Sequence, residues 1–165
     1  MRIFLIGYMG SGKTTLGRKL ARILQHQFID LDHYIEEQEG RSISHIFEED
    51  GEDYFRKLER AYLHKVIDED DVVISTGGGT PCFFDNMDQM NEYGKTIYIN
   101  MHPKALLPRL LSSKCTRPLL AGKDEKGILD YVFKTLQSRE KYYYKANKIV
   151  MGYNLTARKL EKILL

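Results

Sequence analysis

The sequence predicts an α/β fold in which helices cover both faces of a five-stranded parallel sheet, giving three layers. One observation is that short apolar runs alternate along the chain with stretches of helical periodicity. Another is that the first apolar run leads at once into a glycine-rich segment, GYMGSGKT at residues 7–14, which opens a helix. Strands and helices that alternate in this way form right-handed crossovers between parallel strands. Ligands of such sheets bind beyond the carboxyl ends of the strands.

The predicted elements follow from the hydrophobic pattern. Short apolar runs predict strands at residues 2–6, 27–31, 72–75, 96–99 and 148–151. Helical stretches are predicted at about 15–24, 33–39, 43–67, 103–112, 125–145 and 155–164. A chain of 165 residues is expected to form one domain, 1–165. The segment 113–126 combines basic residues, Pro118 and Gly122 between two helices, and it is predicted to be a lid loop.

The glycine-rich segment has the spacing of a P-loop, Gly7-x-x-x-x-Gly12-Lys13-Thr14. The start of a helix presents free backbone N–H groups and a partial positive charge, which attract phosphate, and side chains would block that approach. The lysine then reaches the terminal phosphates and the threonine hydroxyl binds Mg²⁺. The alternative is a glycine-rich turn that matches by chance. The predicted nucleotide-binding residues are Gly10, Ser11, Gly12, Lys13, Thr14 and Thr15.

Two aspartates, Asp30 and Asp32, close the second predicted strand. Alternation along a strand would point both carboxylates toward the P-loop side. One could help to hold Mg²⁺ through water, and the other could accept a proton from an attacking hydroxyl. The alternative is that Asp32 only caps the following helix.

Three consecutive glycines, Gly77, Gly78 and Gly79, follow the third predicted strand. Such a run indicates a backbone that bends sharply or approaches a ligand closely, although a flexible hinge is the alternative. Many P-loop proteins carry a metal-binding aspartate at the position of Thr76. The metal role is therefore expected at Asp30, through water.

Composition excludes several classes of function. A net charge of +2 is too small to indicate a nucleic-acid or membrane partner. No apolar stretch is long enough to cross a bilayer and the chain begins directly in a strand, so a cytoplasmic location is expected. Cys82 and Cys115 fit no metal or redox motif and are expected to be free thiols.

Taken together, five motifs resemble the shikimate kinase family and cover nearly the whole chain in the family's order. They are the P-loop, Asp30-Leu31-Asp32, the segment 46–56 followed by Glu59, the segment 75–79, and Arg117-Pro118-Leu119-Leu120. The resemblance implies a fold like that of nucleoside monophosphate kinases, with a substrate-binding helical region at about 33–62. It also implies a monomer that transfers the γ-phosphoryl group of ATP to the 3-hydroxyl of shikimate, toward chorismate and the aromatic amino acids.

The resemblance also implies roles for individual residues. Arg56 and Arg139 would bind the shikimate carboxylate, and Glu59 could hold Arg56 in place. Asp32 would bind hydroxyls and act as the base, while Lys13, Mg²⁺ and Arg117 from the lid would neutralise the transferred group. Arg117 would also contact the nucleotide.

The backbone of residues 77–79 would line the substrate pocket, and Phe47 and Phe55 would form its apolar wall. Ordinary core packing remains the alternative for the two phenylalanines, and a solvated helix face for the two arginines that would bind the carboxylate. Arg109 is the nearest candidate for stacking on adenine, but its spacing to Arg117 departs from the family pattern.

Two other functions remain open on the residues alone. A gluconate kinase would share the P-loop but would not require the glycine run together with Phe55-Arg56. A GTP-dependent switch would usually carry an Asn-Lys-x-Asp element, and Asn147-Lys148-Ile149-Val150 lacks the aspartate.

Overall fold

The structure is a computed structural model, and it describes residues 1–112 and 120–165. Five parallel strands form one sheet in the order β2-β3-β1-β4-β5. Helices lie on both of its faces, so the predicted three-layer α/β fold is confirmed. The strands are β1 (Arg2–Ile6), β2 (Gln27–Asp30), β3 (Val72–Ser75), β4 (Lys95–Asn100) and β5 (Lys148–Met151). The helices are α1 (Lys13–Leu24), α2 (Leu31–Glu39), α3 (Ile43–Ile67), α4 (Asn86–Tyr93), α5 (Pro103–Ser112), α6 (Glu125–Tyr143) and α7 (Ala157–Leu164), with a 3₁₀ turn at Thr80–Cys82.

Two hydrophobic cores flank the sheet, because successive side chains of a strand point to opposite faces. In β1, Phe4 and Ile6 pack in the core formed with α2 to α6. Ile3 and Leu5 pack in the smaller core formed with α1 and α7. This central strand is buried on both faces, which positions the P-loop that follows it.

The boundary between β2 and α2 differs from the prediction. The strand ends at Asp30 and the helix begins at Leu31, because the Asp30 carboxylate accepts a hydrogen bond from His33 N and caps α2. Asp32 lies in the first turn of the helix. The prediction that the two aspartates alternate along one strand is therefore wrong, and so is the alternative that Asp32 is the cap.

Helix α3 contains a break that the sequence pattern did not predict. Gly51 has φ 83° and ψ 169°, which is not helical, so the helix changes direction there. The part after the break carries Phe55, Arg56 and Glu59, all buried. The break lies between Phe47 and Phe55, the two phenylalanines predicted to form the wall of the substrate pocket.

Helix α4 was missed at the sequence level. It has eight residues, of which only Met87 and Met90 supply buried apolar side chains at helical spacing. The predicted lid is only partly visible, because residues 113–119, with Cys115, Arg117, Pro118 and Leu119, lie outside the described residues. Within the described part, no helix is long and apolar enough to cross a membrane.

Candidate active site

A cavity of about 450 Å³ lies at the carboxyl ends of the central strands. The P-loop, the start of α2 and the end of β3 form its walls, as expected for a parallel sheet. Its lining residues are Met9, Gly10, Gly12, Lys13, Thr14, Thr15, Asp30, Asp32, Ser75, Thr76, Gly77, Gly78 and Arg109. Of the predicted nucleotide-binding residues, Ser11 is buried behind this surface, and Arg117 is not described.

The P-loop is shaped by glycines that other residues could not replace. Gly12 caps α1 in the left-handed region at φ 97°. At Gly7, a Cβ atom would lie 2.8 Å from the Ile99 carbonyl oxygen, so only glycine fits between β1 and β4. The loop therefore presents the free N–H groups at the start of α1 to the cavity.

Lys13 is the first residue of α1, and it folds back over the loop. Its Nζ donates hydrogen bonds to Gly7 O at 2.7 Å and Tyr8 O at 2.9 Å, and its side chain is buried. The ammonium group thus lies on the cavity wall, anchored to the backbone of the loop itself.

The hydroxyl of Thr14 and the carboxylate of Asp30 meet across the cavity floor. Thr14 Oγ1 donates to Asp30 Oδ2 at 2.8 Å. Thr76, which occupies the position of the usual metal-binding aspartate, instead donates its hydroxyl to Leu5 O. A hydroxyl oxygen and a carboxylate oxygen thus lie side by side next to the P-loop.

Asp32 lines the P-loop cavity beside Gly77, where a Cβ atom would lie 2.8 Å from Asp32 Oδ1. Burial of its carboxylate, reinforced by the negative charges of Glu59 and Asp30, raises the pKa of Asp32 to about 7. The positive charges of Lys13 and Arg56 oppose this rise in pKa. A carboxyl group with a pKa near neutrality can exchange a proton under physiological conditions.

Arg56 is held by carboxylates along its edge. Its NH1 group donates to Glu59 Oε1 at 2.9 Å, and Nε and NH2 lie 3.4 Å from Glu52 Oε1. Glu59 is fully buried and accepts a second bond from Thr80 Oγ1 at 2.8 Å. Burial raises the pKa of Glu59, whereas Arg56 and Thr80 oppose that rise. The predicted Arg56–Glu59 contact is confirmed.

Arg139 approaches the glycine run from α6. A Cβ atom on Gly78 would lie 3.0 Å from its NH1 group, and its guanidinium carbon lies 5.4 Å from the centre of the Tyr8 ring. Tyr143, one helical turn later, donates its hydroxyl to Gly78 O. Two side chains of α6, Arg139 and Tyr143, thus lie against Gly78.

A sequence model of the shikimate kinase family matches residues 9–164. The chain belongs to the shikimate kinase family. A shikimate kinase of Phocaeicola vulgatus is 51% identical over 148 residues, which cover 90% of this chain and 85% of that protein. The crystal structure of shikimate kinase from Bacteroides thetaiotaomicron has a TM-score of 0.97 and 45% identity, covering 99% of this chain and 98% of that one. Shikimate kinase from Acinetobacter baumannii, solved in complex with shikimate, has a TM-score of 0.87 and 34% identity, covering 99% and 90% of the two chains.

Membership of the shikimate kinase family makes this chain an ATP-dependent kinase. The predicted family, fold and enzyme class are therefore confirmed, in preference to a gluconate kinase or a GTP-dependent switch. The predicted site residues fall into two groups in space. Those that line the cavity are Gly10, Gly12, Lys13, Thr14, Thr15, Asp30, Asp32, Gly77 and Gly78. Those outside its lining are Ser11, Arg56, Gly79, Arg139, Phe47 and Phe55.

Phe47 and Phe55 lie together in α3 on either side of its break. Their ring centres are 5.0 Å apart, Phe55 is buried, and Phe47 is partly buried against the same core. This position fits both core packing and a pocket wall. The role of Phe47 and Phe55 in binding a substrate therefore stays a prediction.

Three residues of this arrangement were missed at the sequence level. Thr80 donates to Glu59, Tyr143 donates to Gly78 O, and the Phe83 ring lies under the guanidinium carbon of Arg56. A sequence signal existed only for Tyr143, which lies four residues after Arg139 and thus on the same helical face. Arg109 is exposed and donates to Gly10 O at 3.3 Å, so it lies at the cavity rim, and its role toward adenine stays a prediction.

Proposed function

We propose that this chain transfers the γ-phosphoryl group of ATP to the 3-hydroxyl of shikimate, giving shikimate 3-phosphate and ADP for aromatic amino acid biosynthesis. The observation that carries the proposal is the position of the glycine run. Gly77 and Gly78 line the P-loop cavity, Gly78 also contacts Arg139, and Gly79 contacts Arg56. One short segment therefore joins a phosphate-binding cavity to two arginines that suit a carboxylate.

The nucleotide half of the proposal rests on the P-loop. Backbone N–H groups at the start of α1 would bind the ATP phosphates, and Lys13 would turn from its backbone partners to the terminal phosphate. The Thr14 hydroxyl and the Asp30 carboxylate fit Mg²⁺, which prefers oxygen ligands and keeps several waters. Within the described ranges, no three His, Cys, Asp or Glu side chains are grouped to bind a metal alone, so the nucleotide would supply the remaining ligands. Bound Mg²⁺ would neutralise charge on the phosphates.

The acceptor half rests on the two arginines and Asp32. Arg56 and Arg139 each present a guanidinium group beside the glycine run, and such groups bind a carboxylate through paired, charge-assisted hydrogen bonds. Asp32 lines the cavity together with Lys13 and lies beside the glycine run, since a Cβ atom on Gly77 would be 2.8 Å from Asp32 Oδ1. It would orient the 3-hydroxyl and accept its proton as the phosphoryl group is transferred.

Phosphoryl transfer needs mainly alignment of the reactants and neutralisation of charge. Lys13 would contact the transferred group, and Arg117, in the undescribed part of the lid, would do so when the lid closes. Closure would exclude water, which strengthens such contacts.

A coupled ADP-release assay with ATP and Mg²⁺ tests the proposal. The acceptors are shikimate, quinate, gluconate and nucleoside monophosphates, and turnover is expected with shikimate alone at low substrate concentration. Arg56→Ala should raise KM for shikimate roughly ten- to 150-fold, since a charge-assisted hydrogen bond contributes about 1.5–3 kcal/mol. KM for ATP should stay nearly unchanged. Preferential turnover of gluconate, or an Arg56→Ala effect on ATP alone, would refute the assignment.

We also propose that the protein is a cytoplasmic monomer without a nucleic-acid or membrane partner. The small net charge of +2 supports the absence of such a partner. Light scattering coupled to gel filtration measures the mass in solution. A mass near 19.2 kDa is expected.

A further inference from the structure

The guanidinium carbon of Arg56 lies directly over the face of the Phe83 ring. The Arg56 guanidinium carbon is 4.1 Å from the centre of the Phe83 ring, well inside the range of about 6 Å over which a cation and an aromatic face attract each other. Phe55, the neighbour of Arg56 in sequence, is farther away, at 5.2 Å. Phe83 follows the 3₁₀ turn Thr80–Cys82 and is thus placed by the same loop that contains the glycine run.

The edge of the same guanidinium group is constrained as well. Its NH1 group donates a hydrogen bond to Glu59 Oε1 at 2.9 Å, and its Nε and NH2 atoms each lie 3.4 Å from Glu52 Oε1. The backbone of Gly79 is so close that a Cβ atom there would lie 2.6 Å from NH2. These contacts hold the nitrogen atoms of the group, whereas the Phe83 ring lies against its central carbon.

We propose that Phe83 is a positioning residue for the acceptor substrate: its ring fixes the guanidinium group of Arg56 before a carboxylate binds. The inference rests on the proposed function of Arg56 as a carboxylate ligand. A long arginine side chain loses rotational freedom when it binds, and an aromatic face that already holds the guanidinium group removes part of that loss. The ring has no hydrogen-bonding atom, so it leaves the donors of Arg56 available and the attraction does not compete with a carboxylate.

The adjacent residue provides a matched control. Phe84 lies 5.2 Å from the guanidinium carbon of Arg60, so the two pairs are of the same kind and are built from consecutive phenylalanines. Phe84 is 53% exposed, and Arg60 forms an ion pair with Asp85 instead of facing the glycine run. Removal of the Phe84 ring should therefore leave substrate binding unchanged.

The test measures the Kd of shikimate by calorimetry, together with steady-state kinetics for each substrate. Phe83→Leu should raise the Kd and KM of shikimate about five- to thirtyfold, the range of a partly to fully desolvated cation–aromatic contact. KM for ATP and kcat should change by less than about twofold, because Phe83 does not face the P-loop cavity. Phe83→Tyr retains the aromatic face and should restore binding to nearly the wild-type value. Phe84→Leu should behave as wild type.

A double-mutant cycle separates failure of this inference from failure of the proposed function. In an Arg56→Ala background, Phe83→Leu should add less than about twofold, because the ring then has no guanidinium group to position. The inference is overturned if Phe83→Leu leaves the Kd of shikimate unchanged while Arg56→Ala raises it, or if its full effect persists without Arg56. It is overturned together with the role of Arg56 if Arg56→Ala also leaves the Kd unchanged. Melting curves accompany each variant, and Phe83→Met, which fills similar space without an aromatic face, replaces Phe83→Leu if that variant does not fold.

Discussion

Thr14 Oγ1 donates a hydrogen bond to Asp30 Oδ2 at 2.8 Å, which joins the start of α1 to the end of β2. The other oxygen of Asp30, Oδ1, accepts from His33 N and caps α2. The Asp30 carboxylate therefore caps α2 with one oxygen and faces the site proposed for Mg²⁺ with the other. These two tasks can be separated by a substitution that retains one of them.

Asp30→Asn is expected to raise the Mg²⁺ concentration needed for half-maximal activity about ten- to one-hundredfold, the usual effect of losing a carboxylate near a bound metal. Asparagine is also a good helix cap, so the stability of α2 should be retained. Asp124→Asn is the control, because Asp124 caps α6 through Gly127 N in the same way but does not line the cavity. An unchanged Mg²⁺ requirement in Asp30→Asn would leave Asp30 with the cap alone.

Asp32→Asn is expected to stabilise the protein more at pH 8 than at pH 5. The folded state raises the pKa of Asp32 from 3.8 to about 7, so between these values the folded protein binds a proton that the unfolded chain does not. Wild-type stability therefore falls as the pH rises from about 4 to about 7. The Asp32→Asn variant lacks this contribution to the pH dependence of stability. Thermal melts of both proteins at constant ionic strength measure it. A difference in Tm that stays constant from pH 5 to pH 8 would show that the carboxyl group is not perturbed.

Lys13→Ala is expected to abolish detectable turnover and to lower stability by about 1–3 kcal/mol. The first effect follows from its proposed contact with the terminal phosphate, and the second from loss of its bonds to Gly7 O and Tyr8 O. Lys19, exposed on the same helix and outside the cavity lining, gives the control variant Lys19→Ala, which should retain activity and stability. Circular dichroism and denaturant unfolding report the fold, and an active Lys13→Ala enzyme would contradict the P-loop assignment.

Gly79→Ala is expected to raise KM for shikimate by roughly tenfold or more without a matching effect on KM for ATP. The new Cβ atom would lie 2.6 and 2.7 Å from the NH2 and NH1 groups of Arg56, which must move because the backbone cannot. The φ angle of Gly79 is −90°, so alanine causes no backbone strain there. Gly78 lines the cavity, and a Cβ atom there would lie 3.0 Å from Arg139 NH1. Gly78→Ala should therefore raise KM for both substrates. Equal effects of Gly79→Ala on the two KM values would argue against separate sites.

Arg117→Ala is expected to lower kcat by at least tenfold while KM for shikimate changes little. A contact that forms only as the lid closes stabilises the transition state more than the bound substrates, and its loss therefore appears in kcat. The comparison with Arg56→Ala is decisive, since loss of uniform substrate binding raises KM. An increase in KM for shikimate with kcat unchanged would place Arg117 in the acceptor site.

The sequence by itself determined the features that depend on neighbours along the chain. The P-loop is one, because its strand, glycines and helix start lie within residues 2–24. The Arg56–Glu59 pair is another, because residues three apart share a helical face. The alternation of apolar runs with helical stretches similarly determined the parallel sheet, since short crossovers permit few other arrangements.

The tertiary structure decided what depends on contacts between distant segments. Tyr143 reaches Gly78 across 65 residues, and Phe83 meets Arg56 because the 3₁₀ turn Thr80–Cys82 packs against α3. The raised pKa of Asp32 likewise comes from burial and from Glu59 on another helix. The end of β2 is a local feature that the sequence analysis nevertheless missed, because the Asp30 carboxylate accepts from His33 N and caps α2. Sequence periodicity records which residues are buried, but it does not record which buried groups meet, because that follows from the packing of whole elements.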